Sequence, residues 1–397
     1  KVIFTLGYVN DEGIKINSDY NRLNASFKIR QKLAKTLDLD VDFRYTESNL
    51  NGRENVTNGK GSNVSGAYRY RPIDNPLGGV SYSEVASGFS FGVANIDDKH
   101  NPVELINDIT NKSYSRSLRG SAALSWEIIK GLVARSELSL TRSSSKSTYY
   151  ENGYTNGDKR ATLNRGMGDG LRSVSTLNYN FNIGKNNVFS ALLGNEVLKS
   201  DSESSQITGR GYPSTFDYDT TMGLIHTATT SFSATNSYSV PARTVSFFGR
   251  LSYTFMDRYL FTGTFRADGS SKFAPDNRWG YFPAGAFAWR LSEEPFMNGT
   301  KDWLSNLKLR LSYGTSGSDN ISSNLWRETW SSLGSGSNHT PINGELGSFY
   351  RPDGLLANSK LKWETTISRN FGIDFGFLNN RVNGSLEVYW NTTKDLL

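Results

Sequence analysis

Apolar and polar residues alternate along much of the chain, and the pattern is clearest between residues 244 and 289. Apolar side chains there occupy odd positions and polar side chains even positions, with Phe248 as the exception. The odd set includes Val245, Phe247, Leu251, Tyr253, Phe255, Tyr259, Phe261, Phe265 and Trp289. A period of two residues is typical of a β-strand with one apolar and one polar face. We therefore predict three strands here, joined by a tight turn at residues 256–258 and a loop at 269–278.

A hairpin of the same kind is predicted over residues 20–45. Its polar face carries charges of opposite sign on the two strands, namely Lys28, Arg30, Asp38, Asp40 and Asp42. With a turn centred near Ala34, Arg30 would face Asp38 and Lys28 would face Asp40. Facing opposite charges support one register over its neighbours. We therefore predict cross-strand ion pairs within this set.

Further alternating segments bring the prediction to about thirteen strands, and their connections alternate in length. The connections near residues 31, 130, 185, 257, 294 and 380 are short. Those at 10–19, 50–111, 151–159, 201–241, 269–278 and 317–358 are long. Short turns at one end and long loops at the other are typical of an outer-membrane barrel. Aromatic residues also gather beside the short turns, where flat amphipathic rings suit the headgroup level.

These patterns predict an all-β, antiparallel transmembrane β-barrel of the outer membrane. The odd residues of 244–289 would face lipid, and the even residues, Arg250 and Arg266 among them, would face the lumen. An alternative is a soluble β-sandwich or solenoid that binds carbohydrate or acts as an adhesin. Packing of Phe247, Leu251, Tyr253 and Phe265 against a second sheet would favour that alternative.

Composition narrows the function classes. No apolar run approaches the roughly 18 residues that a membrane helix needs, so a helical span is excluded. The chain has no cysteine and three histidines, which excludes thiolate sites and disfavours a histidine metal cluster. The net charge of +6 is spread along the chain without a basic stripe, which disfavours nucleic acid as a partner. We predict no cofactor and no metal.

Candidate chemistry has a simpler structural interpretation in each case. Residues 166–170 are glycine-rich, but no helix follows to present amides to a phosphate, so a loop or bulge is predicted. The aspartates at 38, 40 and 42 are predicted to form a salt-bridged wall rather than a cation site. Glu293 and Glu294 are neighbours in a turn, which we interpret as solvated. No nucleophile–histidine–acid spacing occurs, so we predict no enzymatic activity, and a barrel-embedded hydrolase lacks its catalytic set.

One stretch resembles a known family. Residues 257–297 read DRYLFTGTFRADGSSKFAPDNRWGYFPAGAFAWRLSEEPFM, which is similar to the barrel signature of the SusC/RagA family of TonB-dependent outer-membrane transporters. Four further segments agree in the family's order: GYVNDEGI from Gly7, WLSNLKLRLSYGTSG from Trp303, LKWETT from Leu361 and EVYWNTTKDLL from Glu387. The resemblance therefore covers nearly the whole chain.

The resemblance implies a larger plugged barrel in the outer membrane of a Gram-negative cell. Such a barrel imports a glycan or an oligopeptide with a SusD-like surface lipoprotein, driven by the TonB complex through an N-terminal part. The chain shows no signal peptide, TonB box, plug, N-terminal extension or final strands, so residues 1–397 are expected to be part of one barrel domain. Long loops are the expected place for solute contacts. The candidates, for solute or lid contact or simply for packing within the loops, are Trp326, Trp330, Phe349, Tyr350 and Arg351.

Overall fold

The computed structural model describes residues 1–14, 16–52, 107–153, 157–332, 350–352 and 356–396. Strands dominate the described residues. They are β1 (Val2–Glu12), β2 (Asp19–Ala34), β3 (Leu37–Asn51), β4 (Ile109–Ile129), β5 (Leu132–Glu151), β6 (Arg160–Ile183), β7 (Asn187–Arg210), β8 (Ser231–Tyr238), β9 (Ala242–Phe255), β10 (Tyr259–Ser270), β11 (Trp279–Arg290), β12 (Leu304–Ser318), β13 (Trp330–Ser332), β14 (Tyr350–Pro352), β15 (Glu364–Phe377) and β16 (Val382–Lys394). One short α-helix, α1, is described at Tyr218–Gly223. The 3-10 turns are Ile225–Thr227, Pro275–Asn277, Leu291–Glu293 and Pro295–Thr300.

Fourteen strands form one sheet, and each strand pairs antiparallel with its neighbours. The continuous path runs from β1 to β7, then through β9, β10, β11, β12, β15 and β16. Strand β8 lies beside the upper part of β7, and β13 pairs with β14 in a separate hairpin. The path has the thirteen strands that the alternation predicts. No described helix is long and apolar enough to cross a membrane.

Tight turns lie at one end of the sheet, as predicted, but the connection near residue 294 is not short: thirteen residues with two 3-10 turns join β11 to β12. At the β4–β5 turn, Gly131 has a φ of +84°, and a Cβ there would lie 2.3 Å from the Asn180 carbonyl oxygen. Only glycine fits such a position without strain. At the β9–β10 turn, Met256 and Asp257 both have positive φ, at 51° and 55°. Positive φ at two consecutive positions is typical of a type I′ turn, which is closed here by the Arg258 amide donating to the Phe255 carbonyl at 3.0 Å.

The pairing register gives the sheet two chemically different faces. Side chains alternate between faces, so directly paired residues share one. One face, called the polar face below, includes Arg30, Asp40, Glu137, Arg172, Glu196, Arg266, Arg310 and Asp374. The other, called the apolar face, includes Phe27, Val41, Leu124, Leu138, Leu177, Leu193, Leu251, Phe265, Leu311 and Phe371. This division holds across the whole path.

Two details of the strand prediction are wrong. The β2–β3 turn lies at residues 35–36, not at Ala34, and a bulge at Leu33 shifts the register by one residue, so Arg30 pairs with Asp40 and Lys28 with Asp42. Residues 166–170 are not a loop or bulge but continue β6 in regular register with both neighbours. Small residues are needed there because a Cβ on Gly166 or Gly168 would lie 2.8 or 2.9 Å from a serine hydroxyl on β5.

Two predicted loops also contain ordered elements. Strand β7 extends to Arg210, and residues 211–241 hold α1, a 3-10 turn and β8. The predicted loop at 317–358 contains β13 and β14. Beyond the apolar part of the sheet, the extended strands carry polar side chains on both sides. Period-two alternation is therefore weak in these segments.

Two small buried clusters complete the long-loop end. Ala161, Tyr212 and Ile225 form one cluster, called the apolar-face cap because Ala161 points from that face of β6. Phe273, Phe282 and Trp363 form the other, called the polar-face cap because Phe282 lies opposite Arg266 on that face. The sheet itself has no second layer among the described residues, so these caps hold most of its fully buried apolar side chains.

Candidate functional site: the polar face

The centre of the polar face carries a charged network around Arg266. Its Nε donates to both carboxylate oxygens of Asp268, at 2.8 and 2.9 Å. One terminal nitrogen donates to the Ser246 hydroxyl at 2.9 Å and to Glu196 at 3.3 Å. Arg172 reaches the other oxygen of Glu196 at 2.7 Å. Because Asp268 is buried, this guanidinium supplies the charge that its carboxylate needs.

Phe248, the exception in the alternating pattern, belongs to the same site. The Arg266 guanidinium lies 5.4 Å from the centre of its ring. Gly194 lies at the edge of this ring, and a Cβ at that position would be 2.5 Å from the Phe248 ring. A cation over an aromatic face is attracted by the ring quadrupole. The ring therefore holds the guanidinium in place while remaining on the polar face.

A second network lies on β2, β3 and β5. Arg30 Nε donates to Asp40 at 2.7 Å, and Arg135 reaches the other Asp40 oxygen at 3.3 Å. Asp42 accepts from Arg44 at 2.7 Å and lies 4.0 Å from the Lys28 ammonium. Asp38 pairs in register with Lys32, without a described ion pair. The basic residues therefore engage the aspartates at 40 and 42 in the shifted register.

A third network lies on β12, β15 and β16. Arg310 donates to Asp374 at 2.8 Å and to Glu387 at 2.5 Å, and Lys308 lies 3.6 Å from Asp374. Across the polar face, cations and carboxylates thus alternate from β2 to β16. Exposed ion pairs contribute little to stability on their own. Their arrangement instead gives this face a hydrophilic surface with many hydrogen-bond donors and acceptors.

The apolar face has the opposite character. Phe247, Leu251, Phe261 and Phe265 are between 46% and 52% exposed, while Tyr253, Phe255, Tyr259 and Trp289 are half-buried among neighbouring rings. Rings near the short turns stack across five strands, with centroids 5.0 Å apart for Phe181–Phe189, 4.6 Å for Phe189–Tyr253, 6.2 Å for Tyr253–Phe261 and 4.8 Å for Phe261–Phe287. The other described sheet is only the β13–β14 hairpin, and these side chains do not pack on a second sheet.

The short-turn end holds one buried carboxylate. Glu293 is exposed, but Glu294 is buried, so its interpretation as solvated is wrong. The Tyr259 hydroxyl donates to Glu294 Oε1 at 2.6 Å, the Trp289 indole N–H to the same oxygen at 2.9 Å, and Arg258 to Oε2 at 3.4 Å. The Tyr259 and Trp289 hydrogen bonds hold the pKa of the Glu294 carboxyl below its usual value. Sequence spacing offers no signal for this contact, because the donors come from two other strand ends.

The predicted loop contacts are only partly brought together. Trp326 is half-buried beneath the Arg327 guanidinium, which lies 4.4 Å from its ring centre. Trp330 is 57% exposed, and its backbone pairs with Pro352 in the β13–β14 hairpin. That hairpin includes Tyr350 and Arg351, of which only the backbone is described, whereas Phe349 lies outside the described residues. No group of three or more potential metal ligands occurs among the described side chains.

An antiparallel sheet with one wet charged face, one exposed apolar face and a row of rings beside the short turns is the wall of a transmembrane β-barrel. The sequence model of one family, described as TonB dependent receptor-like, beta-barrel, matches residues 52–397. The chain belongs to this family and lies in the outer membrane of a Gram-negative cell. The family consists of receptor-like barrels rather than enzymes.

Relatives and solved structures agree. The TonB-dependent receptor SusC of Bacteroides thetaiotaomicron is 28% identical over 99% of this chain and 39% of its own length. A TonB-dependent receptor of Formosa agariphila is 30% identical over 99% of this chain and 38% of its own length. The structure of the RagAB peptide transporter superposes with a TM-score of 0.81 at 20% identity, over 100% of this chain and 43% of that chain. The chain therefore spans about two fifths of the relatives that it matches.

Proposed function

We propose that this chain forms part of the lumen wall of a TonB-dependent importer of a glycan or an oligopeptide. The observation that carries the proposal is the division into two faces. The apolar face meets lipid, and the polar face, with its alternating ion pairs, lines the path of a solute rich in hydrogen-bonding groups. Membership of a receptor-like barrel family and similarity to SusC and to the RagAB peptide transporter support this function.

The whole protein must close the sheet. Strands β1 and β16 form the two edges of the described path, and an unpaired strand edge in hydrocarbon leaves backbone groups unsatisfied. We infer that residues 1–397 are part of one barrel domain whose remaining strands lie elsewhere in the protein. The long loops form the rim opposite the tight turns, which is the extracellular rim in this class of barrel. A SusD-like surface lipoprotein would dock on that rim, and the TonB complex would act through an N-terminal part.

Uptake by the full-length protein tests the proposal. Cells that express it would be given labelled oligopeptides and labelled oligosaccharides, with and without an active TonB complex. We expect uptake of one solute class and its loss without TonB. Copurification with a surface lipoprotein encoded alongside it would test the partner. Uptake that continues unchanged without TonB, or no uptake of either class, would contradict the proposal.

A pair of variants links uptake to the polar face. Arg266→Ala removes the centre of the charged network, whereas Leu251→Ala changes the apolar face on the adjacent strand. We expect the first variant to change uptake about tenfold, because charge-assisted hydrogen bonds contribute roughly 1.5–3 kcal/mol each. The second variant should leave uptake unchanged. Equal effects of both variants would show that the polar face has no special role.

A further inference from the structure

The run of apolar residues on the apolar face ends at a defined level along the strands. On β5 its residues run from Leu132 to Leu140, and the next residue on that face is Arg142. With a rise of about 3.4 Å per residue and a tilt of about 40°, the span from Leu132 to Arg142 climbs roughly 26 Å along the axis. The lipid-facing band of such barrels is about 25 Å tall. Arg142 therefore marks the outer boundary of the hydrocarbon.

A cluster of cations lies on the same face just above this boundary. It consists of Lys112 and Arg116 on β4, Arg142 and Lys146 on β5, and Arg165 on β6, all of them exposed. Arg116 pairs with Glu47 at 3.2 Å, and Arg142 lies 3.7 Å from Asp169. Lys146 and Arg165 make no ion pair with any residue that the structure describes. Lys112 makes none either, so three of the five cations have no carboxylate partner among the described residues.

Lys146 and Arg165 are also direct cross-strand partners. Side chains in such pairs have Cβ atoms about 5 Å apart, and like charges directly opposite each other destabilise a sheet. An anion between them would remove that repulsion. Both side chains point from the apolar face, about 10 Å above the boundary, which places them in the polar region outside the hydrocarbon.

A cavity of about 550 Å³ opens beside this pair. Its lining includes Lys112, Lys146, Tyr114, Thr148 and the Tyr218 ring of α1, with Asp19 on the β2 side. The Lys112 ammonium lies 4.4 Å from the Tyr218 ring centre, and Thr148 is hydrogen-bonded to the Tyr218 hydroxyl at 2.8 Å. Asp19 accepts a hydrogen bond from Asn51 at 3.0 Å. The volume suits a sugar headgroup, and the lysines suit its phosphate.

We propose that this cavity and the Lys146–Arg165 pair bind the phosphorylated headgroup of a glycolipid of the outer leaflet. The phosphate lies between the two cations, the sugar occupies the cavity beside Tyr218, and the acyl chains run down the apolar face. The inference rests on the proposed orientation of that face towards lipid and not on the imported solute. Loss of lipid binding and loss of uptake are therefore separate results.

The test uses the full-length protein extracted in mild detergent, with bound glycolipid counted by native mass spectrometry. The variant is Lys146→Ala with Arg165→Ala. The matched control is Lys130→Ala with Lys185→Ala, which removes two cations from the tight turns of the β4–β5 and β6–β7 hairpins. We expect the variant to bind the glycolipid about tenfold more weakly and the control to match the unmodified protein. Equal binding by all three proteins, or equal loss in the control, would overturn the proposal.

A second measurement needs no variant. The unmodified protein in nanodiscs would be given phosphorylated lipid A, dephosphorylated lipid A or inorganic phosphate alone. Preference for the phosphorylated lipid by about tenfold over each of the others would support the proposal. Equal affinity for the dephosphorylated lipid would show that the site does not recognise the phosphate. Equal affinity for inorganic phosphate would show that the ligand is a free anion and not a lipid.

Discussion

At the long-loop end of the sheet, the two caps lie on opposite faces. Strands β4 to β7 are 20 to 24 residues long, and their cap packs on the apolar face around Ile225. Strands β9 to β12 are 12 to 15 residues long, and their cap packs on the polar face around Phe273. The first cap therefore lies on the apolar side of the sheet. The second covers the polar face and, in the proposed orientation, narrows the mouth of the barrel.

The two caps also differ in what holds them. The apolar-face cap is hydrogen-bonded: Tyr212 donates to the Ile225 carbonyl at 2.8 Å, and Lys159 donates to the Ser214 carbonyl at 2.9 Å. The polar-face cap is mainly aromatic, with the Trp363 ring 5.5 Å from both Phe273 and Phe282, and a hydrogen bond runs from the Trp363 indole N–H to the Arg278 carbonyl at 2.7 Å. A dry aromatic cluster depends on complete burial, whereas a hydrogen-bonded cap tolerates partial exposure. This difference predicts a graded response to substitution.

The largest effect is expected for Phe273→Ala in the polar-face cap. Phe273 is fully buried, and removal of such a ring costs about 3–5 kcal/mol through lost burial and the cavity left behind. Hydrogen exchange of the Ser270 amide, which donates to the Arg278 carbonyl at 3.0 Å, would report the opening of this cap. Phe296→Ala, at a position 68% exposed, is the control. A loss below about 1 kcal/mol would show that this cluster does not hold the cap.

A smaller effect is expected for Ile225→Ala in the apolar-face cap. Ile225 is 8% exposed, and we expect a loss of about 2–3 kcal/mol, at the lower end of the range for such truncations. The Thr221 amide, which donates to the Asp217 carbonyl at 3.0 Å, is the reporter. The neighbouring Leu224, 39% exposed, provides the control Leu224→Ala. A loss equal to that of Phe273→Ala would remove the distinction between the two caps.

Tyr212→Phe isolates the hydrogen bond of the apolar-face cap. The ring remains, but the Ile225 carbonyl loses its donor, at a cost of about 1–2 kcal/mol. The same Thr221 amide reports the change, and Tyr238→Phe, at a position 74% exposed on β8, is the control. No change in exchange would mean that apolar contact alone holds this cap.

The sequence predicts the wall well because the relevant signals are local. Period-two alternation assigns faces, and turn chemistry at Gly131 and at residues 256–258 sets the tight ends. Register is harder to predict. Arg30 finds a carboxylate whether Asp38 or Asp40 faces it, so charge complementarity alone cannot choose between registers two residues apart. The two-residue turn at 35–36 and the bulge at Leu33 together decide the outcome.

The caps and the cation pair could not be predicted from local pattern. Phe273 and Trp363 are ninety residues apart in sequence, and nothing in either segment shows that the two loops meet. Composition alone marks the loop residues Trp326 and Trp330 as candidates, and it says nothing about their different burial. Lys146 and Arg165 become neighbours only once the β5–β6 register is known. Long-range contacts of this kind carry no periodic signal.

The smallest effect concerns the short-turn end, where the β11–β12 connection is longer than the two-residue β4–β5 turn. Glu294 lies in the turn between β11 and β12, outside the membrane-spanning strands, and hydrogen bonds from Tyr259 and Trp289 lower its pKa. A carboxyl whose pKa is lower in the folded state adds stability above the unfolded pKa of about 4.3, and this is lost as the pH falls through the folded value. We expect Glu294→Gln to lower the urea midpoint at pH 7 and to approach the unmodified protein as the pH falls through the lowered pKa of that carboxyl. The exposed neighbour supplies the control, since Glu293→Gln should change neither midpoint. A gap between Glu294→Gln and the unmodified protein that persists or widens at low pH would show that the ionised carboxylate does not stabilise this turn.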